Sequence, residues 1–369
     1  MKCAAIISEY NPFHNGHKYQ IDLLRSLGYD VIIAVMSGSA VQRGEVALTD
    51  KFSRAKAAVL CGADLICELP APFSCASGEY FARAGVIAAD ALMADALSFG
   101  SECGDIDMIS DHAREKRIAP PSVGAAAAEL SGTRFGSNDI LAIEYVRAID
   151  RIGSKMMPLT HKRIGGAYNS EADCGSFSSA TSIRKAVADG HIGAIKERMP
   201  ADSFEVIRQG LADTCDVEQS NRIFSAMLLC ELRMSDVNTL SSYAFMNGGL
   251  ASRMKKAAEK AESAEELYAL AATKVYTNSR IRRAALCTVC KIPDSIRRSS
   301  PEYLSLLCAN ERGREYLSSI SPLLPVLTTV REKRRFDSFE YEKRLDMLFE
   351  LVRGYSGGAR IYTKPPIML

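Results

Sequence analysis

Residues Lys2–Ser8 read as an apolar strand that runs through an Asn11-Pro12 turn into a helix predicted over His17–Leu27. A strand that feeds a helix across so short a turn is the opening of an α/β unit. The turn delivers His14 and His17, spaced by three, with Gly16 between them. A helix start leaves N–H groups unpaired and carries partial positive charge, so it favours phosphate. Two imidazoles add donors aimed at the same anion. Gly16 removes a side chain where a base or ribose can lie on the backbone. The pattern points to a nucleotide triphosphate cradle built without a Walker-type lysine. A single histidine near a helix start is usually a cap or a surface residue. Two of the chain's 5 histidines fall at this one start, which favours the nucleotide reading.

The alternation continues through the first half. Strands are predicted over Asp30–Met36, Ala63–Leu69, Ala94–Phe99 and Lys155–Lys162, the last of the series. Helices are predicted over Asp50–Cys61, Glu79–Ala91, Asn138–Ile149 and Thr181–Asp189, with Gly62 as a C-cap. Such alternation implies a parallel sheet covered on both faces, with ligands beyond the carboxyl ends of its strands. From about Gly190 amphipathic segments dominate: 203–211, 220–233, 249–261, 264–272, 278–290 and 341–354. The 369 residues thus read as two domains, 1–190 and a mostly helical 191–369. Segment 103–137 is the least regular part of the first half.

Composition sets the class rather than the function. At 47% hydrophobic and 24% charged the chain is an ordinary soluble globular protein. No signal peptide and no uncharged apolar stretch of membrane-spanning length is evident. The 11 Cys show no framework spacing, which suits a reducing cytoplasm. Cys287 and Cys290, a lone CxxC, read as one face of a buried helix rather than half a zinc site. The net charge of +2 hides an excess of basic residues in the second half. Lys274, Arg280, Arg282, Arg283, Lys291, Arg297 and Arg298 stand against Asp294 alone in 271–300. That cluster is either a solvated helix face or a footprint for nucleic acid.

Three further segments fall where a doubly covered sheet keeps its chemistry. Met36–Gly44 makes a small, polar loop after the second strand, followed by Lys51 and Arg54, which read equally as crevice or solvated surface. Ser98–Glu102 ends a strand in small residues that let backbone approach a base. Ser178, Ser179 and Thr181 can cap a helix whose start holds a second phosphate, with Arg184 reaching back as a forked cation. Two helix starts, one on each side of a crevice, suit a triphosphate whose α-phosphate is attacked while β and γ leave.

Taken together, the motifs resemble a known family. His-x-Gly-His with a late Ser-Ser-x-x-x-x-Arg resembles the nucleotidylyltransferase superfamily. Within it, EYNPFHNGH, MSGSAVQRG, DLICELP, SFGSE, NDILAIEY, KRIGGAY and SSATSIRKA, in that order, look like the bacterial tRNA(Met) cytidine acetate ligase family, and 273–283 resembles its basic helical segment. The resemblance covers nearly the whole chain. It implies a Rossmann-like parallel sheet of the HxGH type followed by a mostly helical, tRNA-binding C-terminal domain. It implies ATP contacts from Ile7, Ser8, Glu9, Tyr10, Asn11, Pro12, Phe13, His14, Asn15, Gly16, His17, Lys18, Tyr19 and Gln20, and further ones from Gly100, Asn138 and Arg163. The chain departs from the family between Glu102 and Asn138, where it is shorter and where Gly136-Ser137-Asn138 replaces Pro-Asn-Asn.

The activity so implied is activation of acetate by ATP and acetylation of N4 of the wobble cytidine of elongator tRNA(Met). Acetate is already a nucleophile, so the first step needs positioning and charge stabilisation rather than a base. His14, His17 and Arg184 are the expected catalytic residues, with Ser178 and Ser179 at the second helix start. Lys274, Arg280, Arg282 and Arg283 would hold the tRNA. Mg2+ is compatible with ATP, but no acidic cluster identifies its ligands. Two other readings stay open, an adenylyltransferase of a small phosphorylated metabolite and a non-catalytic RNA-binding protein. Oligomeric state is open as well.

Overall fold

The computed structural model describes residues 1–115, 135–163, 179–355 and 361–369. Its strands are β1 (Cys3–Ser8), β2 (Val31–Ser37), β3 (Ala40–Val41), β4 (Glu45–Val46), β5 (Leu65–Leu69), β6 (Ala96–Ser101), β7 (Met157–Lys162), β8 (Leu304–Ala309), β9 (Val326–Leu327) and β10 (Ile367–Met368). The helices of the first half are α1 (Asn15–Ser26), α2 (Lys51–Leu60), α3 (Gly78–Ala91), α4 (Ile106–Arg114), α5 (Ser137–Ile152) and α6 (Ala180–Ala188). Those of the second half are α7 (Ala201–Ala212), α8 (Val217–Met234), α9 (Val237–Ser242), α10 (Leu250–Ala258), α11 (Ala264–Ala271), α12 (Asn278–Val289), α13 (Glu311–Ser319), α14 (Val330–Lys333) and α15 (Phe339–Val352).

Strands β5, β2, β1, β6 and β7 lie side by side in that order, all parallel, with Ala4 opposite Ile32 on one side and Ala96 on the other. Their near-continuous apolar runs are buried because helices cover both faces. Ala5, Ile33, Cys67 and Leu97 pack against α3 and α5 through Phe81, Ala84, Ala88, Ile143 and Ile149. Ala4, Ile6, Ile32 and Ile66 face the other way onto Ile21, Leu24, Ala55 and Ala58 of α1 and α2. Successive residues alternate between the two cores, as the pleat requires. Strand order reverses between β1 and β6, which opens a crevice at their carboxyl ends.

Met157–Lys162 is not the last strand. The sheet gains β8 antiparallel to β5, with β9 and β10 beside it. The run Leu304–Ala309 is short and fully buried, and periodicity alone does not separate such a run from a buried helix segment. Chain beyond residue 190 therefore completes the sheet of the first half. Its helices α8, α10, α11, α12 and α15 share a separate core built on Leu228, Leu232, Leu250, Met254, Leu267, Ile281 and Leu345. Cys287 and Cys290 are buried in it, as expected of a helix face. Segment 103–137 contains a full helix, α4, while 116–134 lies outside the described residues. Among the described residues no helix is long and apolar enough to cross a membrane.

Candidate active site

The His-x-Gly-His segment begins its helix two residues earlier than periodicity suggested. His14 is the N-cap of α1, with extended backbone. Its Nδ1 accepts the Gly16 N–H at 3.0 Å, and its own N–H donates to Nδ1 of His17 at 3.2 Å. The two rings stack with centroids 3.8 Å apart. With both Nδ1 atoms accepting, each neutral ring carries its proton on Nε2, so both are donors there. Burial, then the Arg163 and Arg184 charges, push the His14 pKa down to about 3. Burial, His14 and Arg163 hold His17 well below its ordinary value as well. A Cβ on Gly16 would stand 2.9 Å from Cε1 of His14. The glycine is thus needed first to let the His14 ring fold over the helix start.

The turn is braced from several sides. Asn11 Oδ1 accepts the Leu48 N–H at 2.8 Å, and its carbonyl accepts Arg184 Nη1 at 3.0 Å. From beyond residue 190, Ser203 Oγ donates to Phe13 O and Asn15 Nδ2 donates to Glu197 O, both at 2.9 Å. Tyr10 and Phe13 are buried beneath the turn, edge-on to each other and against the His17 ring. Ile7 is half-buried, Ser8 buried, and Pro12 completes the turn. Gln20 ties α1 to Ser98 of β6 at 3.1 Å, Lys18 pairs with Asp22, and the Tyr19 ring lies 6.0 Å from that of His161. These side chains shape the cradle from behind.

Lys51 and Arg54 belong neither to the crevice nor to the surface; both are fully buried. Arg54 donates to the carbonyls of Glu9 (2.7 Å), Ser37 (3.0 Å), Thr49 (3.1 Å) and Gly38, and so clamps the ends of β1 and β2 together. Lys51 lies within 2.6 Å of Glu68, 3.2 Å of Glu342 and 2.7 Å of Asp346. Although burial opposes the charge, those three carboxylates hold the Lys51 ammonium well above its ordinary pKa.

The opposite wall comes from the ends of β6 and β7. A Cβ on Gly100 would meet Arg163 Cγ at 3.0 Å and His161 Nε2 at 3.2 Å, so this glycine gives room to two side chains. The Arg163 N–H is anchored on Ser101 O at 2.9 Å. Half-buried His161, its Nδ1 without a hydrogen-bond partner among the described residues, has its pKa lowered to about 4 by burial and by Arg163. Asn138 does not present an open amide. Its Nδ2 donates to Glu102 at 2.6 Å, and the same carboxylate accepts the N–H groups of Asn138 and Asp139. Asp139 answers by accepting the N–H groups of Glu102, Cys103 and Gly136. Glu102 thus fills the start of α5, a role sequence reasoning missed although the residue lies in the SFGSE motif.

Ser179 caps α6 by accepting the Ser182 N–H at 3.2 Å; Ser178 lies outside the described residues. Arg184 sits between Asn11 O and Glu45, 3.7 Å from the carboxylate. The same Glu45 lies 3.2 Å from Arg282, which also pairs with Glu265 at 2.9 Å. Glu45 was missed too: its partner Arg282 is 237 residues away, and no local pattern announces it. Glu9 accepts the Gln42 N–H at 2.9 Å. Burial raises its pKa, and Arg184 and Arg43 pull it back.

The expected basic face on α12 takes a different form. Arg283 is buried over the Phe245 ring, and burial lowers its pKa to about 10. Half-buried Arg280 stacks on Tyr276 and donates to the carbonyls of Phe245 and Asn247. Arg282 is held by Glu45 and Glu265. Of the four residues expected on tRNA, Lys274 alone is exposed. Charge counting registers sign; it does not register that an arginine near a helix start also caps loop carbonyls.

Neutral imidazole donors and guanidinium groups gathered at a helix start are suited to stabilising a nucleotide losing pyrophosphate, the chemistry of nucleotidyl transferases. Residues 1–357 match the HIGH Nucleotidyl Transferase family. A tRNA(Met) cytidine acetate ligase of Caldicellulosiruptor saccharolyticus is 34% identical over 89% of this chain and 87% of that relative. One from Syntrophotalea carbinolica is 34% identical over 98% and 88%. The chain belongs to the tRNA(Met) cytidine acetate ligase family. The crystal structure of apo Thermotoga maritima TmcAL, 28% identical, matches it over 100% of both chains with a TM-score of 0.90. A second form of that protein, bound with alpha-thio ATP, matches over the same extent with a TM-score of 0.87.

Proposed function

We propose that this protein activates acetate with ATP as acetyl-adenylate and transfers the acetyl group to N4 of the wobble cytidine of elongator tRNA(Met). The observation that carries the site assignment is the His14–His17 pair, locked as two Nε2–H donors at the start of α1 with Arg163 and Arg184 around it. An acetate oxygen attacks the α-phosphorus and pyrophosphate leaves. His14 and His17 meet the phosphates, and Arg184 neutralises the departing β and γ groups. Gly16 and Gly100 line the nucleoside, and Arg163 reaches phosphate or acetyl-adenylate. Asn138 contributes through its bond to Glu102, which fixes the edge of the pocket.

The cytosine amine then attacks the mixed anhydride, after the base has left its stack. Exposed Lys274 and half-exposed Arg282 are the cations of the basic segment that can meet RNA phosphates. Mg2+ enters this scheme on the triphosphate; among the described residues no three His, Cys, Asp or Glu side chains are grouped to hold a metal. A substrate of this kind puts the protein in the cytoplasm. The test is pyrophosphate release from ATP with acetate, with and without bacterial tRNA, followed by nucleoside mass analysis. Acetate-dependent release with N4-acetylcytidine is the expected result. Release without RNA acetylation points to another acceptor, and no release overturns the reading.

A further inference from the structure

The transfer step has a proton to dispose of; His14 and His17 offer no acceptor for it, and the Nδ1 of His161, unpartnered among the described residues, is closed off from the surface. His14 and His17 have given their Nδ1 lone pairs to backbone N–H groups, which leaves Nε2–H donors. The exocyclic amine of cytosine is a poor nucleophile because its lone pair is shared with the ring, so it must lose a proton as the new bond forms. Among the described residues, Glu9, Glu45 and Glu102 bring carboxylates to the crevice. Glu102 is committed to the start of α5, and Glu45 bridges Arg184 and Arg282.

Glu9 is placed differently. It lies just past the carboxyl end of β1, beside the strand reversal and in the turn that leads to His14. The Gln42 N–H engages Oε1 at 2.9 Å, which holds the carboxylate against the loop after β2 and leaves Oε2 without a hydrogen bond among the described residues. We propose that Glu9 is the general base of acetyl transfer, an inference that rests on the ligase reading. As the amine nitrogen bonds to the acetyl carbon, the proton passes to Glu9 Oε2. The bond from that carbon to the phosphate oxygen breaks, and AMP leaves with the electron pair.

The surroundings suit this role. Burial lifts the Glu9 pKa above its ordinary value; Arg184, the Gln42 N–H and Arg43 oppose that, and Glu45 adds to it. Arg54 and Tyr145 face the same carboxylate from α2 and α5. A carboxylate moved upward is a better base near neutral pH.

The experiment compares full-length wild type, Glu9→Gln and Glu9→Asp in single turnover with tRNA. It measures acetate-dependent pyrophosphate release and RNA acetylation separately. Glutamine keeps an acceptor for Gln42 but no base. In Glu9→Gln, acetylation is expected to fall about 100-fold further than pyrophosphate release. Acetyl-adenylate accumulates, and the acid limb of the transfer rate against pH disappears. Glu9→Asp keeps that limb. A parallel fall of both half-reactions, unchanged transfer, or loss of the limb in Glu9→Asp overturns the proposal. Wild-type enzyme that releases pyrophosphate but acetylates no RNA overturns the ligase reading instead.

Discussion

His14 caps a helix through its Nδ1, orients His17 through its backbone N–H and stays neutral because it is buried. His17→Ala removes a phosphate donor and is expected to lower acetate-dependent pyrophosphate release by about 100-fold or more while circular dichroism stays unchanged. Protonation adds a second test. The folded pKa of His14 is about 3 against 6.5 in the unfolded chain. Between those values the unfolded state binds more protons, so the stability that is complete above pH 6.5 is lost as pH falls toward 3. His17 acts in the same direction. At about 1.4 kcal/mol per unit, the pair makes urea midpoints fall steeply through this window, and a His14→Gln variant falls less. On the RNA side, Lys274→Ala should reduce the slope of log affinity against log salt by about one, while Arg283→Met leaves it unchanged because that guanidinium is buried. The two histidines were legible from spacing alone, whereas the fate of Arg280 and Arg283 was not. The loop carbonyls that claim Arg280 and Arg283 come from Phe245, Asn247 and Gln42, far away in sequence.

Among elements, the loop from Ser37 to Asp50 joins distant parts of the molecule. It holds Arg54 through its carbonyls, carries Glu45 to Arg184, and presses Gly44 against α12. Gly44 has φ +77, and a Cβ there would stand 2.4 Å from the backbone nitrogen of Arg283. Gly44→Ala is expected to cost at least about 2 kcal/mol, read as a lower thermal midpoint, because both the left-handed backbone and a backbone clash oppose it. The five parallel strands and their helices were readable because each carries its own pattern and caps; Asp50 caps α2 and Ser179 caps α6 with their own side chains. Strand β8 was not, since its antiparallel place beside β5 is set by partners more than 200 residues away in sequence. Lys51 and Arg54, at i and i+3, read equally as crevice or surface and are neither for a similar reason: the acids that neutralise Lys51 come largely from α15.

At the scale of the whole molecule, that ion cluster and β8 tie the two halves together. Lys51 and Lys333 face Glu68, Glu342 and Asp346, with Tyr303 Oη donating to Glu342 at 2.7 Å. Burial and the neighbouring Glu342 raise the Glu68 pKa to about 8, whereas Lys51 and Lys333 overcome burial and hold Glu342 near 2. Lys51→Met leaves the acids with one lysine and is expected to cost about 3–5 kcal/mol, measured by chemical denaturation. For the same reason, residues 1–190 expressed alone should not give a cooperative unfolding transition; co-expression with 191–369 should restore one. The interleaving also sets an order of events during synthesis. Everything that forms the nucleotide cradle from β1 to α6 leaves the ribosome before Leu304–Ala309 exists. At roughly 5–20 residues per second, β5 waits on the order of ten seconds or longer with an open edge. The growing polypeptide therefore carries an open strand edge through most of its own translation, which is where a chaperone is expected to bind it.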